Sequence, residues 1–276
     1  MIKALGIEEN NRKLLSFLNR FGKNIFSVKE ASRIMGLSIE KARLILGYFA
    51  RRGWLSRVKQ GFYVSVPLGI VNPHEYKENP WIVANRIFAP CYVCGCSAAE
   101  HWNLTEQIFN SIFICTGKLF RKKDVNVQGT DFILRLKKKA GHTKSVWVEN
   151  TKIQVSDPIQ TIVDILDDPS SGGGIRHVSK IVKNYFESEY RNDTELLKYM
   201  SEIKNRTIYK RLGYILETIN IDVPNLIKEC KNNVRTGYSV FDHAIKTKGR
   251  FNRRWNLRVN AKIKEAEFNV QVQHKS

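Results

Sequence analysis

The sequence lacks long apolar runs and has an odd, small number of cysteines. No stretch approaches 18 consecutive apolar residues, and residues 1–9 (MIKALGIEE) lack the apolar core and small-residue cleavage site of a secretory signal. We therefore expect a cytoplasmic protein without membrane contact. In a reducing compartment the five cysteines predict free thiols, which excludes a disulfide-stabilised secreted fold.

Acidic residues are also scarce relative to basic ones. The chain has 46 lysines and arginines against 26 aspartates and glutamates, a net charge of +20. Such an excess attracts polyanions, so nucleic acid is the first expected partner. Residues 1–69 hold 13 of the basic residues and 4 of the acidic ones. Proline and glycine near residues 67–73 end this basic region, and we place a domain boundary between residues 69 and 70.

The first domain predicts a winged helix-turn-helix. Apolar spacing predicts a helix over residues 9–21, a second helix beginning at Ser27 and a third beginning at Ser38. Ser27 and Glu30 fit a capping box, in which each side chain accepts from the other residue's backbone amide. Residues 54–66 predict a hairpin of two alternating strands, which would form the wing.

The third helix and the wing predict a DNA-binding surface. In this fold the third helix enters the major groove, so we expect Lys41, Leu44 and Tyr48 to lie nearest the bases and the other basic residues to meet phosphates. The predicted DNA-binding residues are Ser38, Lys41, Arg43, Leu44, Tyr48, Arg51, Arg52, Arg57, Lys59 and Gln60. The alternative is a winged helix that binds only protein, because fold alone does not define function.

Residues 70–276 predict a larger α+β domain, with strands first and helices afterwards. A helix over 80–88 precedes a short strand at 91–96, which leads into a helix capped by Ser97. Further strands are predicted at 112–115, 131–136, 146–149 and 152–155. Helices are then predicted from Pro158 to residue 166 and over 175–187, 193–203, 206–219 and 224–231, before a final strand at 255–260.

Seven short motifs spread along the chain carry a family resemblance. They are residues 61–64 (GFYV), 97–107 (SAAEHWNLTEQ), 155–158 (VSDP), 164–169 (DILDDP), 172–177 (GGGIRH), 210–213 (KRLG) and 254–260 (RWNLRVN). Together they resemble the AbiEi family of bacterial antitoxins, which belong to type IV toxin–antitoxin systems that abort phage infection.

The resemblance implies a repressor with two functions. The winged helix would bind double-stranded operator DNA, at inverted repeats upstream of its own operon, with dimerisation on that DNA an open option. The second domain would oppose a nucleotidyltransferase-like toxin without forming a stable complex with it. Residues assigned to contact with phosphate or a partner are Gly173, Gly174, Arg176, His177, Lys210, Arg211, Arg253, Arg254 and Arg258.

Two groups of residues in the second domain have competing interpretations. Cys91, Cys94, Cys96 and His101 offer zinc ligands, but small buried thiols are ordinary in a core, and we expect no metal and no cofactor. The glycines at residues 172–174 begin a helix and could expose amides to phosphate, or could form a flexible loop that needs glycine conformations.

An enzyme is the competing class of function. Asp131 and Glu149 on neighbouring strands suggest a metal-dependent nuclease, but the Glu-x-Lys spacing is missing and cross-strand ion pairs explain them equally well. We therefore expect no catalysis. A winged-helix regulator without a toxin partner is the other alternative.

The basic C-terminal stretch around Phe251 and Trp255 is either a nucleic-acid surface or a charged strand that protects a sheet edge.

Overall fold

A computed structural model gives the structure of the protein and describes residues 8–21, 24–67, 69–137, 139 and 141–263. Three helices and a small sheet are followed by a larger mixed sheet and then by a layer of helices. The chain is therefore of the α+β class, as predicted. Within the described ranges, the helices are too short or too polar to cross a membrane.

The N-terminal domain has the element order of a winged helix. Its elements are α1 (Glu9–Phe21), β1 (Ile25–Ser27), α2 (Val28–Met35), α3 (Ile39–Arg51), β2 (Leu55–Lys59) and β3 (Phe62–Ser65). The strands form an antiparallel sheet in the order β1-β3-β2. The three helices and the hairpin were predicted, whereas the three-residue strand β1 was missed. Leu18, Ala42, Leu46 and Phe49 are fully buried in the core of this domain.

A six-stranded mixed sheet forms the centre of the second domain. It contains β4 (Cys91–Val93), β5 (Ser111–Thr116), β6 (Asp124–Val127), β7 (Thr130–Leu136), β8 (Thr143–Val148) and β9 (Thr151–Ser156), in the order β6-β7-β5-β4-β9-β8. Two helices accompany its first strand, α4 (Pro80–Ile87) before it and α5 (Gly95–His101) after it. Strand β6 was not predicted, although its four residues alternate between exposed and less exposed positions.

Helix α5 begins earlier than the sequence predicted. Cys94 occupies its N-cap position, not Ser97, and it makes no side-chain capping bond. Ser97 is buried within the helix, where its hydroxyl accepts from the backbone amide of Phe113 at 3.0 Å. The serine therefore joins α5 to β5 instead of capping the helix.

Five helices form the largest apolar core, and the first of them contacts strand β9 of the large sheet. They are α6 (Pro158–Asp167), α7 (Ile175–Glu187), α8 (Asp193–Glu202), α9 (Thr207–Thr218) and α10 (Pro224–Asn232). Asp157 caps α6 by accepting from the amide of Gln160 at 2.7 Å, with proline at the first helical position. These helices agree with the predicted ones to within one or two residues at each end.

A small three-stranded sheet is the last sheet among the described residues. It consists of β10 (Ser239–Val240), β11 (Arg250–Asn252) and β12 (Leu257–Val259), in the order β10-β12-β11. The strand predicted at 255–260 is shorter than expected, because Trp255 lies in the turn before it. The fully buried Trp255 ring instead packs on α9, where a Cβ on Gly213 would fall 2.0 Å from it. Gly213 and Trp255 thus join two of the sequence motifs in one packing contact.

Helix α4 packs against both domains. Its Ile82 and Val83 share a core with Ile25 and Val64 of the winged helix and with Ile114 of the large sheet. The boundary placed between residues 69 and 70 stays a prediction, and residues 264–276 of the second domain lie outside the described residues.

Candidate nucleic-acid interface

Two serine caps set the positions of α2 and α3. Ser27 Oγ accepts from the amide of Glu30 at 3.2 Å, and the Ser27 amide donates to Glu30 Oε2 at 2.8 Å, which confirms the predicted capping box. Gly36 ends α2 in the left-handed conformation with φ +66°. Ser38 Oγ then accepts from the amide of Lys41 at 3.3 Å and begins α3, as predicted. The turn between the helices is therefore short and fixed at both ends.

One face of α3 is buried and the opposite face is open to solvent. Ala42, Leu46 and Phe49 lie in the core, so residues out of phase with them project outward. Leu44 is 73% exposed, which is unusual for a leucine in a folded domain. All ten predicted DNA-binding residues except Tyr48 are exposed.

Tyr48 is half-buried and holds another predicted contact residue in place. Its hydroxyl accepts from Arg52 Nε at 3.2 Å, and the guanidinium carbon lies 5.4 Å from the centre of its ring. The ring also meets the edge of Trp54, with 5.9 Å between centroids. Tyr48 therefore orients Arg52 at the end of α3, and its own contact with bases stays a prediction.

The wing is short and lies close to the end of α3. A two-residue turn at Gln60 and Gly61 joins its strands, and the Gly61 carbonyl accepts from the amide of Val28 at 3.0 Å. An open groove of about 510 Å³ separates the strand β2 from α3. Its lining residues are Gly47, Ala50, Arg51, Arg57, Tyr63 and His74. The groove thus places the guanidinium groups of Arg51 and Arg57 on a single surface.

The basic side chains of this surface are not neutralised within the molecule. Lys41, Arg43, Arg51, Arg57 and Lys59 make no ion pair in the part of the chain that the structure describes. Their charge is therefore available to a polyanion, and each contact with a phosphate would release a bound counterion.

Contacts from the second domain hold the winged helix in a fixed position. Arg86 of α4 donates to the carbonyl of Ile25 at 3.0 Å and forms an ion pair with Glu30 of the capping box. Burial raises the pKa of Glu30, but the hydrogen bonds from Ser27 and Arg86 outweigh this effect, so its pKa is below the usual value. Asn24 Nδ2 also donates to Thr151 Oγ1 at 3.1 Å.

At the glycine-rich motif before α7, a carboxylate of the protein itself binds a backbone amide. Asp242 Oδ2 accepts from the amide of Ile175 at 2.8 Å, at the helix end where the sequence suggested phosphate. Gly173 and Gly174 have φ values of +77° and +89°, so glycine is needed for the backbone path itself. Arg176 is exposed. The aspartate satisfies the amide, and its negative charge would repel an anion there.

His177 joins two of the sequence motifs. Its Nε2 lies 2.9 Å from Thr105 Oγ1, and its Nδ1 lies 2.9 Å from Gln107 Oε1. The carbonyl oxygen of Gln107 only accepts, so Nδ1 carries the proton of the neutral ring. Burial, aided by the charge of Lys180, lowers the pKa of His177. These contacts give the histidine a role in holding the loop before β5 against α7.

Lys210 and Arg211 lie inside the protein instead of on a contact surface. Arg211 is fully buried and donates to the carbonyls of Leu166, Asp167, Val240 and Phe241 at 2.7 to 3.2 Å. Lys210 Nζ donates to the carbonyl of Gly237 at 2.7 Å and to Ser239 Oγ at 3.1 Å. Both cations satisfy backbone carbonyls where helices and loops meet, so a partner would not reach them.

The three C-terminal arginines differ in environment. Arg253 is exposed, whereas Arg254 pairs with Glu217, with 2.6 Å between Nη2 and Oε1. The same glutamate accepts from Trp255 Nε1 at 2.7 Å. Arg258 is half-buried, and its Nε has no hydrogen-bond partner.

The candidate zinc ligands do not come together. Among the described residues, the donor atoms that converge within 4.8 Å belong to Cys94, Cys115 and Asp164, without Cys91, Cys96 or His101. Asp164 Oδ1 already accepts from Lys137 Nζ at 2.5 Å. Burial raises the pKa of the Cys94 thiol, so the protonated form, which is a poor metal ligand, prevails at neutral pH.

The two carboxylates suggested for a nuclease are also apart. Asp131 lies at the start of β7 and Glu149 just before β9, and these strands run in opposite directions. The two residues therefore stand at opposite ends of the sheet. Asp131 accepts from Asn126 Nδ2 at 2.7 Å, which gives it a structural partner across the β6–β7 hairpin.

Comparison with known proteins finds a family match in the N-terminal part of the chain. Residues 13–66, which cover α1 to β3, match the family model described as "Transcriptional regulator, AbiEi antitoxin". No curated protein sequence matches the chain. The family match supports the resemblance seen in the motifs: over residues 13–66 the chain is similar to the AbiEi antitoxin transcriptional regulators.

Proposed function

We propose that the protein is the antitoxin and autorepressor of a type IV toxin–antitoxin system that aborts phage infection. The observation that carries this proposal is the exposed, unneutralised basic surface of α3 and the wing, in a domain that matches AbiEi regulators. The winged helix would bind inverted repeats upstream of its own operon, and two subunits would pair on that DNA.

The positions of residues along α3 and the wing suggest two kinds of DNA contact, one to bases and one to phosphates. Lys41 and Leu44 lie in the first half of the helix, where a recognition helix approaches base edges, and the leucine could contact a thymine methyl group. Arg51 and Arg57 face the groove between α3 and the wing, which suits a phosphate backbone. Arg52, oriented by Tyr48, would add a further phosphate contact.

The second domain would oppose a nucleotidyltransferase-like toxin without a stable complex. Support comes from the motifs of this domain, which resemble antitoxins of such systems. Of the partner residues suggested by sequence, Arg176 and Arg253 are exposed and are the ones available for such a role.

A combined genetic and footprinting experiment tests both the repressor part and the antitoxin part of the proposal. The intact protein should protect an inverted repeat upstream of its gene, and Lys41→Ala with Arg51→Ala should remove that protection while leaving toxin neutralisation intact. Co-expression with an adjacent toxin gene should restore growth, and purification should recover no stable complex. Absence of any protected site would contradict the repressor, and failure to restore growth would contradict the antitoxin.

A further inference from the structure

The C-terminal sheet presents one aromatic face to solvent. In its register Phe251 of β11 and Val240 of β10 both pair with Arg258 of β12, so these three side chains share a face. Tyr238 precedes Val240 by two residues and belongs to the same face. We call the surface made by Tyr238, Phe251 and Arg258 the aromatic face.

The two rings are exposed although they touch each other. Tyr238 is 51% exposed and Phe251 is 64% exposed, with 4.8 Å between ring centroids and 72° between ring planes. The buried Leu257 and Trp255 already provide the contact of this sheet with the helical core. The aromatic face is therefore not needed for that packing.

The chain segment that carries the aromatic face is rich in basic residues and nearly lacks acidic ones. Asp242 is the one acidic residue between positions 235 and 263, and it is buried at the start of α7. The basic residues in this segment are Arg235, Lys246, Lys248, Arg250, Arg253, Arg254, Arg258 and Lys262. Arg254 is paired with Glu217, whereas Arg250 and Arg253 have no ion pair in the described part of the chain.

A second basic groove begins beside this face. Arg235, three residues before Tyr238, lines a groove of about 310 Å³ together with Lys204 and Arg206. Glu202 also lines this groove, but its carboxylate lies 3.2 Å from His142 Nε2. Arg235 thus brings a second group of basic side chains close in sequence to Tyr238.

We propose that the aromatic face binds single-stranded nucleic acid. Unpaired bases would stack on Tyr238 and Phe251, and the phosphates between them would meet Arg253 and Arg258. The exposed rings favour single strands over a duplex, because the bases of a duplex are already stacked on each other. Charge alone would suit either form. This binding is separate from the duplex binding proposed for α3 and the wing.

Fluorescence anisotropy of the full-length protein tests the proposal. The probes are short labelled oligouridine and oligothymidine, which separate RNA from DNA as the source of the unpaired bases. We expect binding at physiological salt, and a loss of about five- to a hundredfold for Tyr238→Ala or Phe251→Ala. Exchange of the rings, Tyr238→Phe with Phe251→Tyr, should preserve binding. Trp147→Ala is the matched control, since Trp147 is 65% exposed on another sheet.

A winged-helix variant distinguishes this surface from the operator site. Lys41→Ala with Arg51→Ala should keep oligonucleotide binding, whatever its effect on duplex DNA. The proposal is overturned if the wild-type protein binds neither oligonucleotide, or if the double variant Tyr238→Ala with Phe251→Ala binds as tightly as wild type. Loss of oligonucleotide binding in the winged-helix variant would also overturn it, because the single strand would then occupy α3 and the wing.

Discussion

Arg51 and Arg211 carry the same guanidinium group in opposite environments. Arg51 is exposed at the end of α3 and lines an open groove, whereas Arg211 is fully buried and donates to four backbone carbonyls. Arg51 of the winged helix therefore lies open to solvent, whereas the helical core of the second domain uses Arg211 for internal hydrogen bonds. Both residues are arginines in helices, so residue type alone does not distinguish an exposed cation from a buried structural one.

The largest effect is expected from removing the buried arginine. Arg211→Ala leaves four carbonyls without their donor and should lower the free energy of unfolding by about 3 kcal/mol or more. Arg51→Ala, the matched exposed variant, should change it by no more than about 0.5 kcal/mol. Urea unfolding measures both. If Arg211→Ala does not fold, Arg211→Lys keeps the charge and should still be clearly destabilised; near wild-type stability of Arg211→Lys would contradict the structural role.

A glycine-to-alanine change in a helix of each domain should act in opposite directions. The added Cβ in Gly213→Ala would fall 2.0 Å from the buried Trp255 ring, and overpacking should destabilise the protein by about 1–3 kcal/mol. In Gly47→Ala the nearest atom lies 3.9 Å away, so the higher helix propensity of alanine should stabilise α3 by about 0.5–1 kcal/mol. If both variants changed the melting temperature by the same amount in the same direction, the close packing of Gly213 in α9 against Trp255 would be contradicted.

Exposed arginines should affect binding instead of stability. Arg51→Ala removes one proposed phosphate contact, so the slope of log affinity against log salt should fall by about 0.9 on duplex DNA. The loss should be similar for specific and scrambled sequences, because phosphates carry no sequence information. An unchanged slope would mean that Arg51 does not meet the backbone.

The smallest effect is expected from pH at His177. Its folded pKa lies below the ordinary value of 6.5, so the unfolded chain takes up the proton first and stability falls as pH drops below about 6.5. His101, whose pKa is also lowered by burial, acts in the same direction. Thermal melts of wild type and His177→Gln between neutral and mildly acidic pH isolate the His177 part. If the stability advantage of wild type over His177→Gln grew toward acidic pH, the assignment would be contradicted.

Local sequence signals predicted the helices well. The capping box of Ser27 and Glu30, the cap at Ser38 and the proline after Asp157 are short-range features that need no tertiary contact. Short strands were harder, because β1 and β10 have only three and two residues and depend on their partners for pairing. Ser97 was misassigned since a buried strand partner, Phe113, determines its hydrogen bond.

In the candidate site, too, features set by local sequence were predicted, whereas contacts between residues distant in sequence were not. Helix phase placed Lys41, Leu44 and Arg51 on the exposed face of α3, as the structure has them. It could not show that Asp242, 67 residues away along the chain, accepts from the amide of Ile175. Nor could it show that Arg211 donates to carbonyls of the α6 end and of β10. Partners that are distant in sequence therefore determine whether a charged side chain is engaged within the protein or open to solvent.

The most direct test of the account is the affinity of the intact protein for its own upstream DNA compared with a scrambled duplex. Fluorescence anisotropy over a salt series should show upstream DNA bound on the order of a thousandfold more tightly, with Lys41→Ala reducing that preference. Equal and weak binding of both duplexes, with no effect of Lys41→Ala, would contradict operator recognition by the winged helix.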